Sequence, residues 1–156
     1  MLRYYTPDRI LAIKESLDYQ DLLLVALDVL EDIDDDYPSR PIIQVCGPIS
    51  TGGTGSRVKN LEIFSRVIER VVSDGLVVFN QMPFEDAMGK IFNSSPDMQG
   101  TKLLEEFYLP IFKTNLISML LFLPGWQNSV GASWEYNQGK KLEIPTICLA
   151  EYYIAD

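Results

Sequence analysis

Two loops of this chain carry residue types that could hold and attack a small polar ligand. The first loop runs from Gly47 to Ser56 and combines four glycines with four hydroxyl side chains. Its backbone amides could approach an anion without Cβ obstruction, and the dipole of a following helix would favour the negative charge. The loop matches neither the G-x-G-x-x-G pattern nor the Walker pattern, so a simple glycine-rich turn remains the alternative interpretation.

The second loop, Pro124–Ser129, leads into a helix that carries Glu135. Gly131 and Ala132 allow a close approach to the backbone at the start of that helix. Near a helix start the dipole keeps a carboxylate ionised, and an ionised carboxylate is what nucleophilic attack on a sugar C1′ requires. Glutamate is also common in first turns for capping and dipole reasons, and this remains the alternative.

The composition excludes several other kinds of chemistry. The chain has no histidine, which removes Ser–His and Cys–His arrangements and histidine metal sites. Cys46 and Cys148 lie in apolar runs, and we expect both to be small buried hydrophobic residues. We therefore expect no metal and no cofactor, and any catalysis must come from carboxylates, hydroxyls or backbone dipoles.

The charge and hydropathy of the chain limit the classes of partner that it could bind. Thirteen basic residues stand against 22 acidic ones, giving a formal net charge of −9, which argues against nucleic-acid binding. No apolar segment is long enough for a membrane span, and the N-terminus has no signal-peptide core. We expect a cytoplasmic protein whose partner is a small molecule.

The remaining sequence must position the two loops. Apolar runs predict strands at 42–46, 76–80, 117–123 and 144–149, separated by helical patterns, with residues 81–100 irregular and a helix from Thr101 broken or kinked at Pro110. This alternation predicts an α/β fold with a doubly wound, Rossmann- or flavodoxin-like parallel sheet. Both loops should then lie on the same edge of the sheet, beyond the carboxyl ends of the strands.

Residues 1–38 predict an N-terminal helical hairpin that ends in an acidic linker, followed by the α/β domain over 39–156. Thr6 and Pro7 are typical of one helix start, and a second helix should begin near Asp18. The second helix has an apolar stripe, made by Leu22, Leu23, Ala26, Leu27 and Leu30. We expect this stripe to pack on the domain or across a homo-oligomer interface. Recruitment of a partner by the acidic hairpin is a further alternative.

Several segments together resemble the nucleoside 2-deoxyribosyltransferase superfamily over roughly residues 41–150. These are Ile43–Gly53, Asn60, Phe64, Gly75 before Val-Val-Phe-Asn, Leu123–Glu135 and Ile144-Pro. The similarity is strongest to a branch that begins with GP(I/M)(S/T)G and ends with LPGW..S.GA..E. Relatives typically assemble at least as dimers, so the resemblance adds weight to a homo-oligomer.

The resemblance implies roles for individual residues. Glu135 corresponds to the nucleophile, which attacks C1′, expels the base and leaves a glycosyl-enzyme ester for water or a second base. Ser129 corresponds to a serine that contacts the 5′-phosphate in nucleotide-hydrolysing relatives. The substrate- and phosphate-binding set that we expect is Gly47, Pro48, Ile49, Ser50, Gly52, Gly53, Ser129 and Gly131.

The chain departs from the family at the acid that protonates the leaving base. Tyr108 and Leu116 stand where aspartates are usual. A phenol has an ordinary pKa of about 10, so it is a much weaker acid than a carboxyl group. Protonation is therefore assigned to Tyr108 or to a nearby carboxyl group, namely Glu85, Asp86, Glu105 or Glu106. The resemblance implies cleavage or transfer at the N-glycosidic bond of a nucleoside or its 5′-monophosphate; the alternative is a catalytically inactive module that binds a nucleotide or a nucleotide-like metabolite.

Overall fold

A four-stranded sheet, parallel throughout, organises the fold. The computed structural model describes residues 2–97 and 100–156. The strands are β1 (Ile42–Cys46), β2 (Val77–Val78), β3 (Ile117–Phe122) and β4 (Thr146–Cys148), in the order β2-β1-β3-β4. The α/β class and the parallel pairing are confirmed, although β2 and β4 are shorter than the predicted runs.

Strand β1 is an inner strand of the sheet and lies at its switch point. All five of its residues are buried, and it pairs in parallel with β2 on one side and β3 on the other. Val45 is level with Leu121 and Cys46 with Phe122, so β1 and β3 end together. Because the chain moves to one side of β1 for β2 and to the other for β3, these ends form the switch point where doubly wound sheets bind ligands.

The described residues form six α-helices. They are α1 (Pro7–Glu15), α2 (Tyr19–Asp36), α3 (Arg57–Ser73), α4 (Glu85–Ser94), α5 (Leu109–Lys113) and α6 (Val130–Lys141). Thr6 caps α1 and Asp18 caps α2, each accepting a backbone N–H three residues later, as the sequence predicts. Gly75, at φ 84°, ends α3 in a conformation that side-chain-bearing residues rarely adopt.

The chain groups into two compact units, each made of two segments. The sheet unit comprises residues 41–78 and 117–156, and it holds all four strands with α3 and α6. The helical unit comprises the described residues of 1–40 and 79–116. Residues 79–116 therefore group with the N-terminal hairpin, whereas the division at 38 and 39 remains a prediction about independently folding domains.

Helix α2 buries part of the predicted stripe within the helical unit, because Leu23 and Leu27 are only half-buried while Val25 and Val29, which the prediction left out, are buried. Leu22, Ala26 and Leu30 are fully buried, and α2 packs against the helical segment that contains α5. The acidic residues expected to form a linker are instead the last turns of α2. The helix extends that far because Ile33 is buried, while Asp32 pairs with Arg9 at 2.6 Å and Asp36 with Arg3 at 2.8 Å.

Residues 81–100 were expected to be irregular, and residues 98 and 99 of this range lie outside the described residues. The rest differ from the expectation, since α4 lies among them and buries Ala87, Met88 and Ile91. The helix around Pro110 also takes a specific form. Leu104–Tyr108 forms a π-helical turn, in which the Leu109 N–H donates to the Leu104 carbonyl five residues back. Since proline has no N–H, the wider turn lets the helix continue to Lys113.

One prediction about the cysteines is wrong. Cys46 is buried in β1, as expected, but Cys148 is exposed. The reason is the sheet order, because β4 is an edge strand and its neighbour Ile147 is also 46% exposed. Over residues 2–97 and 100–156, the structure contains no helix of the length and apolarity that a bilayer crossing requires.

Candidate functional site

A buried polar cluster lies where β1 meets α6. Gln44 is wholly buried, and its Nε2 donates a hydrogen bond of 3.2 Å to Oε1 of Glu135. Glu135 lies in the second turn of α6 and is 6% exposed. Among the described residues, none donates a hydrogen bond to Oε1 of Gln44. The cluster therefore keeps one unused acceptor beside a carboxyl group that is almost out of solvent.

The thiol of Cys46 completes the cluster. It lies 4.0 Å from Nε2 of Gln44. Burial first, and then the nearby Glu135 carboxylate, raise the pKa of the Cys46 thiol well above its ordinary value, although the Gln44 contact opposes them. A thiol in this state stays protonated at neutral pH and is a poor nucleophile. Glu135 is thus the member of the cluster suited to nucleophilic attack.

Asn60 fixes the glycine-rich loop from the first turn of α3. It is 4% exposed, and its Nδ2 donates to the carbonyls of Ile49 at 3.0 Å and Gly52 at 3.2 Å. Its Oδ1 accepts from the backbone N–H of Thr54 at 2.9 Å and from the Thr54 hydroxyl at 2.8 Å. The sequence offered one signal for this role, since Asn60 is a polar residue four positions before Phe64 on the buried face of α3.

The two loops touch each other at the same edge of the sheet, as predicted. The Thr51 hydroxyl accepts the backbone N–H of Val130 at 2.9 Å, across the two loops. Gly52, at φ 71°, packs so closely that a Cβ there would lie 2.6 Å from the carbonyl oxygen of Asn128. Ser129 caps α6, its hydroxyl accepting the Ala132 N–H at 3.2 Å. Hydroxyls of the chain itself therefore occupy two of the amides at the start of α6.

A cavity of about 330 Å³ opens beside this contact. Its lining comes entirely from the sheet unit: Pro48, Gly53, Thr54, Asn60, Ile63, Leu123, Pro124, Gly125, Asn128, Glu151 and Ile154. Apolar side chains form much of the wall, with two amide side chains and one hydroxyl. The single charged side chain in this lining is the carboxylate of Glu151, and the lining includes no lysine or arginine.

The predicted binding residues fall into three groups. Pro48 and Gly53 line the cavity, and Ser129 adjoins its lining residue Asn128. Gly47 lets the ends of β1 and β3 approach, because a Cβ there would lie 2.9 Å from that of Leu123. The others do not line the cavity: Ile49 and Gly52 accept hydrogen bonds from Asn60, Ser50 is exposed, and Gly131 is half-buried in α6.

The two predicted catalytic residues belong to different units. Glu135 is in the sheet unit, and the cavity lining does not include it. Tyr108 is in the helical unit, buried within the π-helical turn, with its ring 4.9 Å from that of Phe107 and 6.4 Å from that of Phe112. The role of Tyr108 as proton donor remains a prediction, as do those of the nearby carboxyl groups.

Comparison of the chain with protein-family models, curated protein sequences and solved structures found no match. Within the described residues, no three side chains of the His, Cys, Asp and Glu types are grouped in a way that could hold a metal ion.

Proposed function

We propose that this protein cleaves or transfers at the N-glycosidic bond of a nucleoside or nucleoside 5′-monophosphate, with Glu135 as the nucleophile. The observation that carries the proposal is the buried Glu135 carboxyl group held by the Gln44 amide beside the switch point of the sheet. Burying a carboxylate destabilises the folded protein, and an apolar residue would avoid this cost. Buried carboxylates are therefore concentrated at functional sites. The resemblance in sequence supplies the reaction class.

The proposed reaction has two steps. A Glu135 oxygen attacks C1′, the bond from C1′ to the base nitrogen breaks, and the base leaves with that electron pair and takes up a proton. Water, or a second base, then attacks C1′ of the ester, passes its proton to the group that protonated the first base, and releases the Glu135 carboxylate. Two displacements at one carbon give net retention of configuration. Gln44 acts as a positioning residue, because its N–H donor orients the attacking carboxylate.

Tyr108 is the proposed donor of the proton to the leaving base. Its phenol replaces the carboxyl group that the resembled family uses, and it would be a weaker acid there. This replacement favours a second candidate function, a module that binds a nucleoside or nucleotide without turning it over. The two functions differ in whether free base is released.

The test is incubation with a panel of nucleosides and 5′-monophosphates, with free base measured by chromatography. Glu135→Gln keeps the shape of the side chain and removes its charge, so we expect base release to fall on the order of 10³-fold or more. Glu69→Gln, at an exposed position on α3, is the matched control and should leave the rate unchanged. Tyr108→Phe in the same assay removes the proposed proton donor and should slow substrates with poor leaving bases most.

Undiminished base release by Glu135→Gln would reject Glu135 as the nucleophile. Binding of nucleosides or nucleotides by the wild-type protein, without base release from any member of the panel, would reject the enzyme and support the binding module. Trapping of a glycosylated peptide that contains Glu135, after rapid acid quenching, would directly identify the covalent step.

A further inference from the structure

We infer that the site selects uncharged nucleosides over their 5′-monophosphates, and that Glu151 is a residue that determines this specificity. The inference rests on the proposed function, whose resemblance places the 5′ end of the substrate at Ser129 and the glycine-rich loop. The cavity lies at that position, since Pro48 and Gly53 come from the loop and Asn128 precedes Ser129. What lines the cavity therefore decides which 5′ group can enter.

The charge of the lining opposes a phosphate. A bound phosphate would need lysine, arginine or free amides around it. The lining instead includes the Glu151 carboxylate and the amide side chain of Asn128, whereas the Asn60 amide and the Thr54 hydroxyl bond within the loop. A hydroxyl group can donate to a carboxylate and accept from an amide, whereas a phosphate dianion beside a carboxylate suffers like-charge repulsion.

Three of the backbone amides near the cavity are already engaged. At the start of α6, the Val130 N–H is bound by the Thr51 hydroxyl and the Ala132 N–H by the Ser129 hydroxyl. The Thr54 N–H in the glycine-rich loop is bound by Asn60. The contact of Gly52 with Asn128 also holds the two loops together beside these engaged amides.

Ser129 and Glu135 lie on the same helix. A helix rises 1.5 Å per residue, so the six residues from the cap Ser129 to Glu135 span about 9 Å along its axis. On the proposed function, a sugar whose C1′ meets Glu135 directs its 5′ end along α6 towards the cavity. Glu151 follows β4 in a short 3-10 turn, Glu151–Tyr153, which brings its carboxylate to the same edge of the sheet.

The experiment measures equilibrium binding of the four 2′-deoxynucleosides and of their 5′-monophosphates by calorimetry. Glu135→Gln is used as the binding background, because it cannot turn its ligands over. We expect each nucleoside to bind more tightly than its monophosphate at low salt, and the ratio to shrink as salt rises. Glu151→Gln should narrow the ratio on the order of tenfold, and Glu151→Lys should narrow it further or reverse it.

Glu69→Lys makes the same change in net charge at a position outside the cavity lining, and it should leave the ratio unchanged. Tighter binding of monophosphates by the background protein, or no binding of either class, would overturn the inference. A ratio that does not respond to Glu151→Lys would remove Glu151 from the role. Failure of the proposed function looks different, because the wild-type protein would then release no base while the binding preference could still be measured.

Discussion

Gln44 is the one polar residue of an otherwise apolar buried strand, and its amide points at the carboxyl group of Glu135. A buried amide left without its hydrogen-bond partner would lower the free energy of unfolding by roughly 1–3 kcal/mol. This penalty favours the paired arrangement of Gln44 and Glu135. Cys46 lies on the same strand and shares this environment. The three side chains form one buried cluster, so a change in any one of them should affect the hydrogen bonding or ionisation of the other two.

The two cysteines should differ sharply in reactivity. At about pH 8 iodoacetamide should modify the exposed Cys148 and leave the buried Cys46 intact, as peptide mass spectrometry would show. Because the pKa of Cys46 is raised, a smaller fraction of it is thiolate at any given pH than for an ordinary cysteine. Labelling of Cys46 should therefore become faster only at a higher pH than labelling of an ordinary cysteine. Cys148→Ser is the control and should remain unmodified until the protein is unfolded. Rapid native modification of Cys46 would contradict this account.

Some of these residues could be predicted from sequence and others could not. The segment Leu123–Glu135 indicates Glu135 as a candidate site residue. The glycines and hydroxyl residues of the first loop indicate that loop. The position of Asn60 on the buried face of α3 is a sequence signal for a structural role. Its partners could not be predicted, because they are backbone groups and a hydroxyl whose positions depend on how the loop folds. Cys148 was misjudged because an apolar run predicts a strand but does not say whether that strand lies at the edge of the sheet.

The conformation of the glycine-rich loop depends on contacts with neighbouring helices as well as on its own residues. Its shape depends on Asn60 of α3 and on the contact of Thr51 with the start of α6. A loop tied at both sides presents a defined wall to the cavity. If the proposed function holds, ligand specificity should depend in part on residues that touch no ligand.

Asn60→Ala should loosen this loop. The change removes two donated and two accepted hydrogen bonds in a partly buried loop, so we expect a loss of roughly 1–3 kcal/mol in the free energy of unfolding. Denaturant titration measures the loss, and limited proteolysis should find new cleavage between Ile49 and Thr54. The control is Asn137→Ala, at an exposed position on α6, which should change stability by about 0.5 kcal/mol or less. Equal stabilities for the two variants would show that Asn60 does not hold the loop.

The whole molecule consists of two units that share the chain in alternating segments. The parallel sheet could be predicted, because four apolar runs separated by helical patterns leave few other arrangements. The grouping of 79–116 with the N-terminal hairpin could not, since it depends on contacts between segments far apart in sequence. The short α4 and the π-helical turn were hidden for a similar reason, because tertiary packing and not local pattern stabilises them.

Helix α2 allows the helical unit to be perturbed by itself. Leu30 is fully buried and Leu24, on the same helix, is 66% exposed. Leu30→Ala should cost about 2–5 kcal/mol of unfolding free energy, whereas Leu24→Ala should cost about 0.5 kcal/mol or less. Hydrogen exchange measured by mass spectrometry should show the largest loss of protection in residues of the helical unit. Similar losses for both variants would contradict burial of the α2 stripe within the chain.

The order of strands has a consequence for synthesis on the ribosome. The middle strand β1 is made early, but one of its two neighbours, β3, ends only at Phe122. At translation rates of about 5–20 residues per second, the nascent chain carries β1 with an open edge for roughly 4–15 seconds. During that interval a five-residue apolar strand offers its backbone to any other extended chain. The sheet is thus most exposed to misassembly while it is being translated, and a chaperone that binds nascent chains would act on it then.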